Sequence, residues 1–194
     1  MNQSPFLMKF FKISGLFLLV LGSASCLDTK VPRDSSAGPN LGFEYSQQGL
    51  PANWILYDPP QADYTISLDT MNPKEGRQSL RFDIRKCPEE GSVNFTGFTN
   101  EFPELTKGGG RYRISFWLKN KGTRYRIYAG GTKAKESAKS PVISEDSRSF
   151  PDWKKLEMET DIPADMWLRF EIRLKGQGTF QIDQVEIEKI ASGR

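Results

Sequence analysis

Between Asn40 and Ile190 apolar and polar residues alternate with a period of two almost throughout. Tyr64, Ile66 and Leu68 alternate with Thr65, Ser67 and Asp69, and Leu80, Phe82 and Ile84 with Ser79, Arg81, Asp83 and Arg85. Tyr112, Ile114, Phe116 and Leu118 alternate with Arg111, Arg113, Ser115, Trp117 and Lys119. Met166, Leu168, Phe170, Ile172 and Leu174 alternate with Trp167, Arg169, Glu171 and Arg173. This is the pattern of antiparallel strands with one face buried and one wet. Shorter strands are expected at Trp54–Tyr57, Ser92–Phe98, Thr123–Ala129, Lys154–Glu159 and Thr179–Glu188. Turn formers separate them at Asp58-Pro-Pro, Asn72-Pro-Lys-Glu-Gly, Gly108-Gly-Gly, Asp161-Ile-Pro and Gly176-Gln-Gly. No stretch has helical periodicity. Nine or ten short strands in about 150 residues predict an all-β antiparallel sandwich, a jelly roll.

Two details refine that expectation. Phe180 and Ile182 share one phase, Val185 and Ile187 the other, so the alternation slips at Asp183-Gln184 and predicts a β-bulge. Gly130–Phe150 is long and polar, and reads either as a solvated lysine-rich loop or as a binding loop.

The first residues follow a different pattern. Lys9 and Lys12 precede the apolar run Ile13–Leu21 and the small residues Gly22-Ser-Ala-Ser, which end at Cys26. This is the layout of a secretory signal over residues 1–25, with a run too short to span a bilayer. The segment resembles the lipobox of bacterial lipoproteins, with Ser23 where that family usually has Leu. The resemblance implies diacylated Cys26 as the new N-terminus, which gives stable anchoring through lipid alone. With Leu27 in place of the Asp that signals inner-membrane retention in that family, the resemblance implies an outer-membrane lipoprotein. The alternative is secretion with Cys26 left as a thiol. Residues 26–39, with few apolar side chains and two prolines, are expected to be a flexible tether, followed by the domain at 40–190 and a tail at 191–194.

Composition narrows the chemistry. The 194 residues contain no histidine and two cysteines, Cys26 and Cys87. A Ser-His-Asp triad, a Cys-His dyad, a His-ligated zinc site and a disulfide scaffold are all excluded. With Cys26 acylated, Cys87 is a lone thiol. The net charge of +3 loses two lysines with the signal segment, leaving a nearly neutral mature chain. No nucleic-acid motif is present.

Asn40-Leu-Gly-Phe-Glu44 opens the domain, followed by Gly49-Leu-Pro-Ala-Asn-Trp54 and Gly76-Arg-Gln-Ser-Leu80. Tyr112-Arg-Ile-Ser-Phe-Trp-Leu-Lys119, Trp153-Lys-Lys-Leu156 and Gly178-Thr-Phe-Gln-Ile-Asp-Gln-Val-Glu-Ile187 come after them. In this order the chain resembles the galactose-binding-like jelly rolls, especially carbohydrate-binding modules of the family 4, 9 and 22 type. The resemblance implies a structural Ca²⁺ held by Glu44 and Asp183 with backbone carbonyls. Gln184 stands where that family commonly has a second Asp, and the alternative is that both acids cap strand ends.

Three aromatics fall out of phase with the core. Trp117 shares its face with Arg113 and Ser115, Tyr128 with Arg124 and Arg126, and Trp167 with Arg169, Glu171 and Arg173. A flat ring beside arginines and a carboxylate suits a sugar, whose C–H face stacks while its hydroxyls take charge-assisted hydrogen bonds. Trp117, Tyr128, Trp167, Arg113, Arg126, Arg169 and Glu171 are therefore the candidate ligand-binding residues. The alternative is that loops cover the rings and nearby acids pair the arginines. The leading reading is a surface-anchored, non-catalytic glycan-binding lipoprotein for a polysaccharide or oligosaccharide, with an anionic polysaccharide as one form of the ligand. The second is an envelope lipoprotein that docks a protein partner. The third, an enzyme using a carboxylate pair such as Asp83 and Glu171, needs both acids in one cleft.

Overall fold

The computed structural model describes residues 29–30, 34–57, 61–87, 93–97, 109–132 and 142–190. The expected signal segment and Cys26 lie outside them. In chain order the strands are β1 (Thr29–Lys30), β2 (Ser46–Gln47), β3 (Leu50–Pro51), β4 (Ile55–Tyr57), β5 (Asp63–Asp69), β6 (Ser79–Lys86) and β7 (Val93–Gly97). They continue with β8 (Gly110–Lys121), β9 (Arg124–Thr132), β10 (Val142–Asp146), β11 (Phe150–Ile162), β12 (Trp167–Lys175) and β13 (Gly178–Ile190). Sheet I has the order β1-β4-β7-β12-β9-β10, sheet II the order β11-β8-β13-β6-β5, and β2 and β3 form a small separate ribbon. The chain is thus an antiparallel β-sandwich of the jelly-roll type, with ten strands of three residues or more in its two sheets.

The alternation decides what fills the space between the sheets. Sheet II contributes Leu80, Phe82, Tyr112, Ile114, Phe116, Leu118, Phe180 and Ile182, and sheet I contributes Tyr125, Ile127, Leu168, Phe170, Ile172 and Leu174, all buried. Phe170 meets Phe116 across the gap at 5.7 Å and Trp54 at 6.2 Å, both edge to face. Tyr125 meets Phe180 at 5.4 Å. Each such pair adds about 1 kcal/mol beyond the apolar area it buries.

Two tight corners carry the chain between the sheets and pack on one another. β8 passes to β9 through Gly122-Thr123, and β12 passes to β13 through Gly176-Gln177. Gly178, at φ 149°, lies so close to the first corner that a Cβ there would fall 2.2 Å from the Lys121 carbonyl oxygen. Asn120 seals the junction by donating to the carbonyls of Thr123 at 2.8 Å and Arg148 at 2.9 Å.

The slip at Asp183-Gln184 is present as a bulge. Asp183 pairs with Trp117 and Glu186 with Ser115, so β13 spends one residue more than β8, and Gln184 takes φ 48°. Two expectations shift. The polar connection after Gly130 is shorter than expected, because β9 runs on to Thr132 and Val142–Asp146 pairs with it as edge strand β10. Within the tether expected over 26–39, Thr29–Lys30 pairs with β4 and the chain from Asp34 onward is docked on Asn53. The Asn53 amide accepts from Asp34 N at 2.9 Å and donates to the carbonyls of Asp34 at 2.7 Å and Gly38 at 2.6 Å. One side chain thereby satisfies backbone that carries almost no apolar residues of its own.

Candidate functional site

The outward positions of β9 and β12 form the centre of the outer face of sheet I. Register places Glu171 beside Tyr128, Arg173 beside Arg126, Arg169 beside Gly130 and Trp167 beside Thr132. On the other side of β12, Glu171 faces Thr96 of β7, which in turn faces Ile55 of β4. Directly opposed residues on one sheet face have Cβ atoms about 5 Å apart, so the outward side chains of β9 and β12 are in reach of one another.

Glu171 is the most deeply set of them, 2% exposed although it points away from the core. Arg169 donates to one of its carboxylate oxygens and Arg173 to the other. A buried carboxylate with no partner would be strongly destabilising, and the two flanking guanidinium groups offset that cost. Arg173 also lies over the Tyr128 ring, 4.6 Å from its centroid, and the Tyr128 hydroxyl accepts from Arg126 at 3.4 Å. Tyr128, Trp167, Arg126, Arg169 and Glu171 are thus brought to one face.

Trp117 and Arg113 are not part of it. Both lie on β8, on the outer face of sheet II and the far side of the sandwich. The Lys74 ammonium sits 3.9 Å from the Trp117 ring centroid. Arg113 is paired with Glu159 at 3.2 Å and with Glu188 at 3.6 Å. Asp83 lies on sheet II as well, held by Arg81 at 2.7 Å, so Asp83 and Glu171 do not form the shared cleft that a carboxylate-pair mechanism needs.

Glu44 and Asp183 converge on the turn before β6. Asp183, 1% exposed, accepts from Lys74 N at 2.8 Å and Glu75 N at 3.2 Å on one oxygen, and from Gln184 N at 2.8 Å on the other. Burial pushes its carboxyl up from the ordinary value against the pull of those donors, and the Glu44 charge adds to the rise. Glu44 accepts from Arg77 N at 2.9 Å and pairs with the Arg77 guanidinium at 3.2 Å. Gly76, at φ 65°, leaves room for this, since a Cβ there would fall 2.1 Å from the Glu44 carboxylate. Calcium needs six to eight oxygen ligands, whereas here N–H donors and a cation meet the carboxylates. Among the described residues no three acids, cysteines or histidines gather as a metal site. This donor set does not fit the ion that the family resemblance implies.

Arg173 is the residue that sequence reasoning left out of the candidate site. Its face was evident from the alternation. Its importance comes from the register of β12 with β9, which sets it diagonal to Tyr128 and two residues along the strand from Glu171.

No protein-family model matches the sequence, and no curated relative matches it. Solved structures do match. A family 61 carbohydrate-binding module in complex with β-1,4-galactotriose superposes with a TM-score of 0.54 at 17% identity, over 78% of this chain and 96% of that one. The CBM22-2 xylan-binding domain of Xyn10C from Paenibacillus barcinonensis gives 0.54 at 15% identity, over 77% and 98%. The enzymatically active domain of tailspike protein 4 from bacteriophage CBA120 gives 0.54 at 17% identity, over 79% of this chain but 21% of that one. The chain therefore has the fold of carbohydrate-binding modules.

Proposed function

We propose that this protein is a non-catalytic glycan-binding lipoprotein that takes a polysaccharide or oligosaccharide on the outer face of sheet I. The observation that carries the reading is the gathering of Tyr128, Trp167, Arg126, Arg169, Glu171 and Arg173 on adjacent strands of one sheet. The Trp167 ring and the multidonor side chains on a rigid surface offer a sugar both apolar contact and fixed hydrogen bonds. The likeness to a module in complex with β-1,4-galactotriose and to a xylan-binding domain supports the ligand class.

Export and attachment complete the proposal. Cys26 is lipidated after removal of residues 1–25 and holds the domain at the outer membrane. Fatty-acid labelling of the expressed protein checks this, with label lost in Cys26→Ala; an unlabelled, secreted wild type would overturn it.

Affinity electrophoresis through gels containing xylan, galactan or acidic polysaccharides tests the binding reading. Retardation by at least one polymer is expected, weakened by Trp167→Ala and untouched by Trp117→Ala. Free migration in every gel would overturn it in favour of an envelope protein that docks another protein.

A further inference from the structure

The two outer faces of the sandwich handle charge in opposite ways. On sheet II cations meet acids of the same sheet: Arg111 with Glu159 at 2.9 Å, Arg81 with Asp83 at 2.7 Å and, across β8, Lys155 with Glu186 at 3.2 Å. Arg113 is shared between acids on β11 and β13. That face neutralises itself.

Sheet I does not. The outward positions of β9 and β12 carry Arg124, Arg126, Arg169, Arg173 and Lys175 but one acid, Glu171. Glu145 on β10 stands opposite Arg126 in register, and with that acid counted these positions still hold five cations against two acids. The single inner carboxylate serves two guanidinium groups at once, so the trio keeps a net positive charge. Each arginine gives Glu171 one hydrogen bond and remains part exposed, 29% for Arg169 and 38% for Arg173. A guanidinium has five N–H donors, which leaves most of them directed elsewhere.

The ring geometry points the same way. With Arg173 over Tyr128, the ring supports a guanidinium plane rather than offering itself bare for sugar stacking. Arginine on an aromatic ring, steered by a carboxylate, is a preorganised fork for a planar anion.

From this asymmetry we infer that the face selects acidic glycans, those whose sugars carry carboxylate groups, such as uronic acids. The inference rests on the glycan-binding reading above. Arg169 and Arg173 take the sugar carboxylates, Arg126 adds charge beside them, and Glu171 is a positioning residue that holds both forks.

The test is titration of the full-length chain with polygalacturonate, glucuronoxylan and alginate, each beside its own carboxyl-reduced form. At least one acidic polymer is expected to bind about tenfold or more tightly than its reduced form, with affinity falling as salt rises. Arg169→Gln/Arg173→Gln should abolish the preference. Because that variant leaves Glu171 buried without a cation, Arg169→Gln/Glu171→Gln/Arg173→Gln is measured beside it, with thermal unfolding to confirm the fold. Arg111→Gln on sheet II should leave the preference intact. Equal binding of acidic and reduced polymers, or binding of neutral xylan or galactan only, would overturn acidic selectivity while leaving glycan binding standing. A preference that survives the triple variant would overturn the assignment to this face. Binding of no polymer, acidic or neutral, would sink both readings.

Discussion

Arg173 and Tyr128 sit on adjacent strands with the guanidinium carbon 4.6 Å from the ring centroid, although neither is directly opposite the other in register. The contact is diagonal, which long side chains reach readily across a sheet. Because the ring orients the guanidinium, Tyr128→Ala is expected to weaken glycan binding about three- to tenfold, the worth of a part-desolvated cation–π contact. Tyr128→Phe keeps the ring and should stay close to wild type. Titration of both variants checks this, and equal losses in the two would mean that the hydroxyl is what matters.

Glu171→Gln removes the charge that both arginines share. Since the two guanidinium groups are part exposed, solvent screens them, and the expected loss of stability is about 1–3 kcal/mol, short of a fully buried pair. Urea denaturation gives the value. A variant as stable as wild type would show that the carboxylate's burial cost cancels its pairing.

Gly178→Ala places a methyl group against the Lys121 carbonyl at a backbone angle that favours glycine. A loss of about 1–3 kcal/mol is expected from backbone strain, before any cost of moving the two corners apart. An unchanged urea midpoint would refute the close packing of those corners.

Asp83 supplies a pH test on the other sheet. The hydrogen bond from Arg81, helped by the Thr179 hydroxyl, holds its carboxyl below the ordinary value of 3.8. A folded-state pKa below the unfolded one contributes stability that is present above the ordinary value and lost as pH falls through the depressed one. Asp83→Asn should therefore melt below wild type at neutral pH, by about 1 kcal/mol or less for a part-exposed pair. The gap should close in strong acid. Melting curves from pH 7 downward check the sign, and a gap that widens in acid would contradict it.

The turn that gathers Glu44, Asp183 and Arg77 is expected to hold without metal. Chelator and added calcium should each leave the melting temperature unchanged, while Glu44→Gln should cost about 1 kcal/mol through weakened acceptance from the turn. A clear rise in melting temperature with calcium would restore the ion that the family resemblance implies.

The strands themselves were legible because burial on one side forces a period of two, and even the bulge at Asp183-Gln184 showed as a phase slip. Alternation says which residues share a face of their own strand, but not which sheet the strand joins. Trp117 and Trp167 therefore looked equivalent, each flanked by arginines, until pairing placed β8 in sheet II and β12 in sheet I. The docking of Asp34–Pro39 was hidden for another reason. It depends on the Asn53 amide, and a polar side chain that satisfies distant backbone leaves no periodic trace.

Glu171 also bears on how this chain can change over generations. Losing one neighbouring arginine leaves the carboxylate with half its compensation, and losing the carboxylate first leaves two like charges side by side. Each single step passes through a less stable intermediate, so positions 169, 171 and 173 are expected to drift together. In a set of descendants the trio should be kept whole or exchanged whole, even where the exposed residues around it vary freely.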